Sequence, residues 1–152
     1  MQSTTKVTKV KIFSDGASRG NPGPSAMAFM ILTADDRVLE RSSEFIGIGT
    51  NNQAEYKALI RALETALDFT EGEVSCYLDS ELVVKQLNGE YKVRNTDLKA
   101  LWLEVNRIKQ RFRSVSFEHV PRTNLYIQQV DEMVNITLDK IETRVRKQAE
   151  GM

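Results

Sequence analysis

The chain has one cysteine, one histidine, no net charge and no long apolar run. The lone cysteine, Cys76, excludes an internal disulfide and fits a reducing, cytoplasmic setting. Its surroundings, VSCYL, read as a strand, so Cys76 is expected to be a small core residue. No segment approaches the ~20 apolar residues of a membrane span, and MQSTTKVTK lacks the apolar stretch of a signal peptide, so no membrane partner is expected. With 21 basic and 21 acidic residues, global charge does not hold the protein on nucleic acid. The balance is uneven locally: residues 81–122 carry nine Lys or Arg against five Asp or Glu. Most of that excess reads as a solvated helix face, with a phosphate-facing patch as the second reading.

What is present is enough for one domain with a real core: 152 residues, 41% hydrophobic and 28% charged. Residues 6–14 alternate as a strand, 26–32 form a short buried one, and 37–46 a third. The Gly-, Pro- and Asn-dense DGASRGNPGPS between the first two reads as a turn-rich connection. Thr50, Asn51 and Asn52 supply capping chemistry for a helix of about 18 residues. Residues 73–78 form a strand, and Asp79-Ser80 caps a short helix ended by Gly89. A third helix is capped by Asn95 or Thr96, and residues 114–120 form the fifth strand. Residues 121–128 read as a loop, Val130 to Val145 as a last helix, and 147–152 as a frayed tail. The order βββαβααβα predicts an α/β fold, a mixed five-stranded sheet flanked by helices, with its core over about residues 6–146.

Four acids stand where elements start or stop: Asp15, Glu55, Asp79 and Asp131. A sheet that gathers them creates a site with excess negative charge, costly unless a divalent cation neutralises it. Oxygen ligands without a neighbouring His or Cys suit Mg²⁺ or Mn²⁺ rather than zinc. Two such ions serve in-line phosphoryl displacement. Taken singly, each acid also has a plain reading. Asp79 is a helix cap, Asp15 a turn residue, Glu55 a half-buried surface acid, and Asp131 a complement to a helix dipole.

The blocks around the acids decide between these readings. FSDGASRGNPGP, GTNNQAEYKAL, LDSELVVKQLNGEYKVRN and HVPR followed by DEMVN occur in order, and together they resemble type 1 ribonuclease H in its compact prokaryotic form. That resemblance implies the ribonuclease H fold and hydrolysis of the RNA strand of RNA/DNA hybrids, leaving 5′-phosphate and 3′-hydroxyl ends. It implies Asp15, Glu55, Asp79 and Asp131 as ligands of Mg²⁺ or Mn²⁺, two ions being expected with substrate, and Glu55 touching a ribose 2′-hydroxyl. It also implies a part for His119 in proton transfer or product departure, which suits an imidazole titrating near neutral pH. A lone His at a strand end is otherwise structural.

Neighbouring residues suit an RNA strand. Gly16, Ala17 and Ser18 are small enough for close backbone approach, and Asn51, Asn52 and Gln53 offer amides to sugar or base edges. Tyr91, Lys92 and Arg94 are placed to meet the DNA backbone, or else form a plain exposed loop. Two departures stand out. RTNLYIQQV makes the segment before Asp131 longer and more apolar than the family pattern, with Val130 at a usual alanine position, which bears on the orientation of His119. The chain is also expected to lack an N-terminal hybrid-binding module and a basic protrusion, giving modest, salt-sensitive affinity. A monomer is expected, with double-stranded RNA as a second candidate substrate. The rival readings are a hybrid-binding module that does not cut and a DNA-acting nuclease of the same superfamily.

Overall fold

The structure, a computed structural model, describes residues 6–151. Three strands, β1 (Lys9–Ser18), β2 (Gly23–Thr33) and β3 (Val38–Gly49), form an antiparallel meander. Helix α1 (Asn51–Ala66) then crosses to β4 (Glu73–Leu78), which lies parallel to β1. Helices α2 (Glu81–Leu87) and α3 (Thr96–Lys109) lead to β5 (Ser114–His119), parallel to β4, and α4 (Leu125–Glu150) closes the chain. The sheet order β3-β2-β1-β4-β5 makes β1 the central strand. The predicted element order and sheet type are those observed.

Side-chain alternation sorts the core into two layers. Val10 and Ile12 of β1, Met27, Phe29 and Ile31 of β2, and Val74, Cys76 and Leu78 of β4 face α1, α2 and α3. Phe13 of β1 and Ala26, Ala28, Met30 and Leu32 of β2 face Ile127, Val130, Val134 and Leu138 of α4. Strand β2 reads as an unbroken apolar run because both of its faces are covered. Cys76 is wholly buried, and burial pushes its thiol pKa upward. Among the described residues no helix is long and apolar enough to cross a membrane.

Among the boundaries that differ from the sequence reading, two bear on candidate site residues and a third lengthens the last helix. β1 continues through Ser18 rather than stopping at residue 14, because Asp15 to Ser18 keep their ladder to Ala28 to Ser25. The turn-forming residues are thereby confined to 19–22, and Asp15 lies within a strand rather than at its end. α4 begins at Leu125, where a loop was expected, because Asn124 Oδ1 accepts from the backbone N–H groups of Tyr126 and Ile127 at 3.0 and 3.1 Å. The apolar LYI segment is thus the first turn of a helix, with Ile127 buried and the Tyr126 ring 4.9 Å from that of Phe13. At the other end α4 runs through the expected tail to Glu150, with Gly151 as its C-cap; Met152 lies outside the described residues.

Candidate metal centre

The site is built where β1, α1 and β4 converge. Asp15 belongs to the central strand and is 5% exposed. The next residue, Gly16, lies against the start of α1 so closely that a Cβ there would stand 2.2 Å from the Ala54 carbonyl oxygen. Only glycine lets helix and strand approach this far. The approach brings Glu55, 6% exposed, next to the strand, and the Gly16 N–H donates to Glu55 Oε1 at 3.1 Å. Asp79 follows the last residue of β4. It does not cap α2: Ser80 Oγ accepts from the Val83 N–H at 3.3 Å, so the Asp79 carboxylate is not spent on the helix end.

One carboxylate oxygen from each of Asp15, Glu55 and Asp79 lies within 4.8 Å of the other two. The second oxygen of Glu55 is buried with no hydrogen-bond partner. An orphaned, buried anionic oxygen in an all-oxygen cluster fits a hard divalent cation, so the residues present suit the group that the fold family implies. Electrostatics agree. Burial pushes the Asp15 carboxyl up from its ordinary 3.8 to about 6, and the charges of Asp79 and Asp131 push the same way. Burial, followed by the neighbouring carboxylate of Asp15, holds Glu55 well above the usual carboxylate range.

The fourth acid is held differently. Asp131 is exposed, lies in the second turn of α4 rather than its first, and is outside the tight cluster of three. A place in the second turn removes the dipole-complement reading. Asp131 nonetheless lines the same cleft, of about 330 Å³, with Asp15, Gly16, Ala17, Asn51, Asn52, Glu55, Asp79, Ser80 and Arg122.

The remaining predicted residues divide. Gly16, Ala17, Asn51 and Asn52 line the cleft. The Ser18 N–H donates to Asn51 Oδ1 at 2.9 Å, tying the strand to the helix start. Gln53 turns away: its Oε1 accepts from the Thr50 N–H at 2.9 Å, and its N–H donates to Thr50 Oγ1, a capping box that engages the side chain. Tyr91, Lys92 and Arg94 line a separate groove of about 380 Å³ with Lys99 and Trp102. There Lys85 lies 5.1 Å from the Tyr91 ring centroid and Lys99 4.9 Å from that of Trp102. His119, the last residue of β5, is exposed, pairs with Leu78 and does not line the cleft.

Arg122 was missed by the sequence reading. Its side chain is 91% exposed, and its Nε lies 3.4 Å from Asp79 Oδ2 at the rim of the cleft. Its signal is the arginine of HVPR, a block that carries the family resemblance. Arg19 and Asn135, which meet each other beside Asp131, were also missed.

The sequence profile of the Reverse transcriptase-like family matches residues 13–133. The chain is 41% identical over 133 residues to a bifunctional protein of Mycobacterium tuberculosis, which covers 86% of this chain and 36% of the relative. It is 40% identical over 132 residues to Ribonuclease HI of Halobacterium salinarum, covering 86% of this chain and 65% of the relative. The chain thus spans about a third and about two thirds of the lengths of these two curated relatives. Among solved structures, LC11-RNase H1 in complex with an RNA/DNA hybrid superposes with a TM-score of 0.82 at 39% identity, covering 87% of this chain and 98% of that one. The blocks read from the sequence, the strand order and the gathered carboxylates agree with these likenesses, and the chain belongs to the type 1 ribonuclease H family.

Proposed function

We propose that this chain, as a single ribonuclease H domain, hydrolyses the RNA strand of RNA/DNA hybrids internally, using Mg²⁺ or Mn²⁺ and leaving 5′-phosphate and 3′-hydroxyl ends. The observation that carries the reading is the cluster of Asp15, Glu55 and Asp79, with the unpartnered oxygen of Glu55 buried inside it. Support comes from Ribonuclease HI of Halobacterium and from the hybrid held by LC11-RNase H1. The protein acts as a cytoplasmic monomer in this reading.

Asp15, Glu55 and Asp79 would hold the cation, with Asp131 completing the set from the rim of the same cleft. A divalent pair bound there supplies Lewis-acid stabilisation of the phosphoryl oxygens and a water of lowered pKa. The chain's own residues do the rest. Buried in the central strand and at the start of α1, Asp15 and Glu55 keep the site rigid and partly shielded from water, where electrostatic contacts are stronger. Ala17, Asn51 and Asn52 face the cleft with groups suited to sugar and 2′-hydroxyl contacts. Arg122 offers an exposed guanidinium to a phosphate oxygen. The groove of Tyr91, Lys92, Arg94 and Trp102 combines cations with aromatic faces and suits the second, DNA strand. His119 acts in proton transfer at product departure, from a position outside the cleft of the free protein.

The test is cleavage of one labelled RNA strand paired with DNA, paired with RNA, or left single, in Mg²⁺, Mn²⁺ or EDTA. Metal-dependent internal cuts confined mainly to the hybrid are expected. Equal cutting of the RNA duplex would extend the substrate class. Cutting of duplex DNA without a 2′-hydroxyl, or binding without cutting in every metal, would replace this reading with a DNA nuclease or a hybrid-binding module.

A further inference from the structure

Asp131 lies outside the tight cluster, and its carboxylate is exposed. The hydrogen bonds that hold it from α4 and the β1–β2 turn form a short chain. Asn135, one helical turn further along α4, donates from Nδ2 to the Asp131 backbone oxygen at 3.1 Å and to Asp131 Oδ2 at 3.4 Å. The opposite end of the same amide, Oδ1, accepts from Arg19 Nη2 at 3.1 Å, and that nitrogen also reaches the Asn135 backbone oxygen at 3.4 Å. Arg19 Nη1 is anchored in turn by Asp139 Oδ1 at 2.7 Å and Glu142 Oε2 at 3.0 Å.

The chemistry of the three groups determines the direction of this chain. A free carboxamide can present either its donor or its acceptor to a neighbour, and a half-turn exchanges them. Arginine has donors only, so a guanidinium fixed beside Asn135 accepts only one orientation, Oδ1 inward. The NH₂ group then points at Asp131, where a carboxylate needs a donor. The acid pair that secures Arg19 is largely exposed, with Asp139 and Glu142 side chains 66% and 52% accessible, so it adds little to stability. Its effect is to hold the guanidinium in place.

We propose that Asn135 is a positioning residue for the Asp131 carboxylate, and that Arg19, from the turn between β1 and β2, locks the Asn135 amide with its donor toward that carboxylate. The inference rests on the metal-dependent reading given above. It assigns work to the arginine of SRGN and the asparagine of DEMVN, which lie on opposite sides of the cleft in sequence and meet only in the fold.

Four variants separate positioning from mere support. Asn135→Leu keeps the size and removes both functions of the amide. Arg19→Gln replaces a donor-only group with one that tolerates either amide orientation, whereas Arg19→Lys keeps donors only. In Asn135→Asp the pairing with Arg19 survives, but an acceptor faces Asp131. Thermal melting, kcat and KM on a labelled RNA/DNA hybrid, and Mn²⁺ binding by calorimetry without substrate are to be measured for each. Outer-shell partners of metal ligands carry about 10–100-fold in activity or metal affinity. Asn135→Leu and Asn135→Asp are therefore expected to lose about 10–100-fold in kcat with KM for the hybrid near native, and to bind Mn²⁺ more weakly or in altered stoichiometry. Arg19→Gln should follow them, Arg19→Lys should stay near native, and adding Arg19→Gln to Asn135→Leu should cost nothing more. A native Mn²⁺ isotherm and native kcat in Asn135→Leu would overturn the proposal. So would losses that track melting temperature equally in Arg19→Gln and Arg19→Lys. Failure of the native chain to cut any hybrid would instead remove the nuclease reading, and the Mn²⁺ isotherms would still decide the relay.

Discussion

The two faces of the sheet are built to different depths. On one, α1, α2 and α3 cover Val10, Ile12, Met27, Phe29, Ile31 and the inward side of β4, with the fully buried Tyr56 donating to Gln86 at 2.7 Å. On the other, α4 alone lies across Phe13, Ala26, Ala28, Met30 and Leu32, and its last turns are exposed. The carboxylates divide along the same line. Asp15, Glu55 and Asp79 are tied to the central strands and the helix of the deep face, whereas Asp131 rides on the helix of the shallow one. In the metal-dependent reading, three of the proposed ligands are thus carried by elements packed into the sheet centre, and the fourth depends on how one helix is seated.

The largest effect should come from the rigid side. Asp15→Asn and Asp79→Asn are each expected to lower hybrid cleavage by about 10³-fold or more, equivalent to ~4 kcal/mol of transition-state stabilisation, while keeping the native circular dichroism spectrum. Unchanged turnover in either variant would sink the site assignment. Next, two leucines of the same type compare the faces directly. Leu63→Ala, under α1, should cost about 4 kcal/mol in urea unfolding, and Leu138→Ala, under α4, about 2, because a single helix can settle into the space left behind. Equal costs would break the comparison. Gly16→Ala should destabilise by roughly 3 kcal/mol, since its Cβ meets the Ala54 carbonyl at 2.2 Å and forces α1 away from β1. Cleavage should fall further than stability, because Glu55 moves with the helix.

The smallest effect is the most diagnostic of charge. Asp15 has its carboxyl raised in the folded state from 3.8 to about 6, so the folded protein binds that proton more tightly than the unfolded chain. Its contribution is therefore full below about pH 4 and is lost as pH rises through about 6. At pH 7.5 without metal, Asp15→Asn should be more stable than the native protein by on the order of 2 kcal/mol, and the gap should close toward pH 4. Mg²⁺ should raise the native melting temperature and leave that of Asp15→Asn nearly unchanged. A gap that does not vary with pH would assign the shift to something other than the buried charge.

Much of this was legible in the sequence, for identifiable reasons. Strand alternation in β1, helical spacing in α1 and the capping residues Thr50, Ser80 and Asn95 are local signals, and each produced the expected element. The four acids were found because each stands in a block of distinctive residues. What local signals could not show was continuation. Asp15 to Ser18 are strand only because β2 pairs with them, and LYI is helix only because Asn124 caps it and α4 must reach Phe13. Gln53 looked like a substrate contact because its amide is polar, but the capping box engages it from within. Arg122, Arg19 and Asn135 escaped notice because their partners are distant in sequence: Asp79 for the first, and each other for the last two.

Cys76 has a practical consequence. Its thiol lies at 0% exposure between β4 and the helices that cover it and is held in its protonated form by burial, so it is closed to maleimides and other thiol reagents in the folded protein. The native chain is accordingly a ready background for single-site labelling. A cysteine introduced at Ile48, 69% exposed on the edge strand, would take a fluorophore or spin label alone, without first replacing a core residue to obtain a unique attachment point.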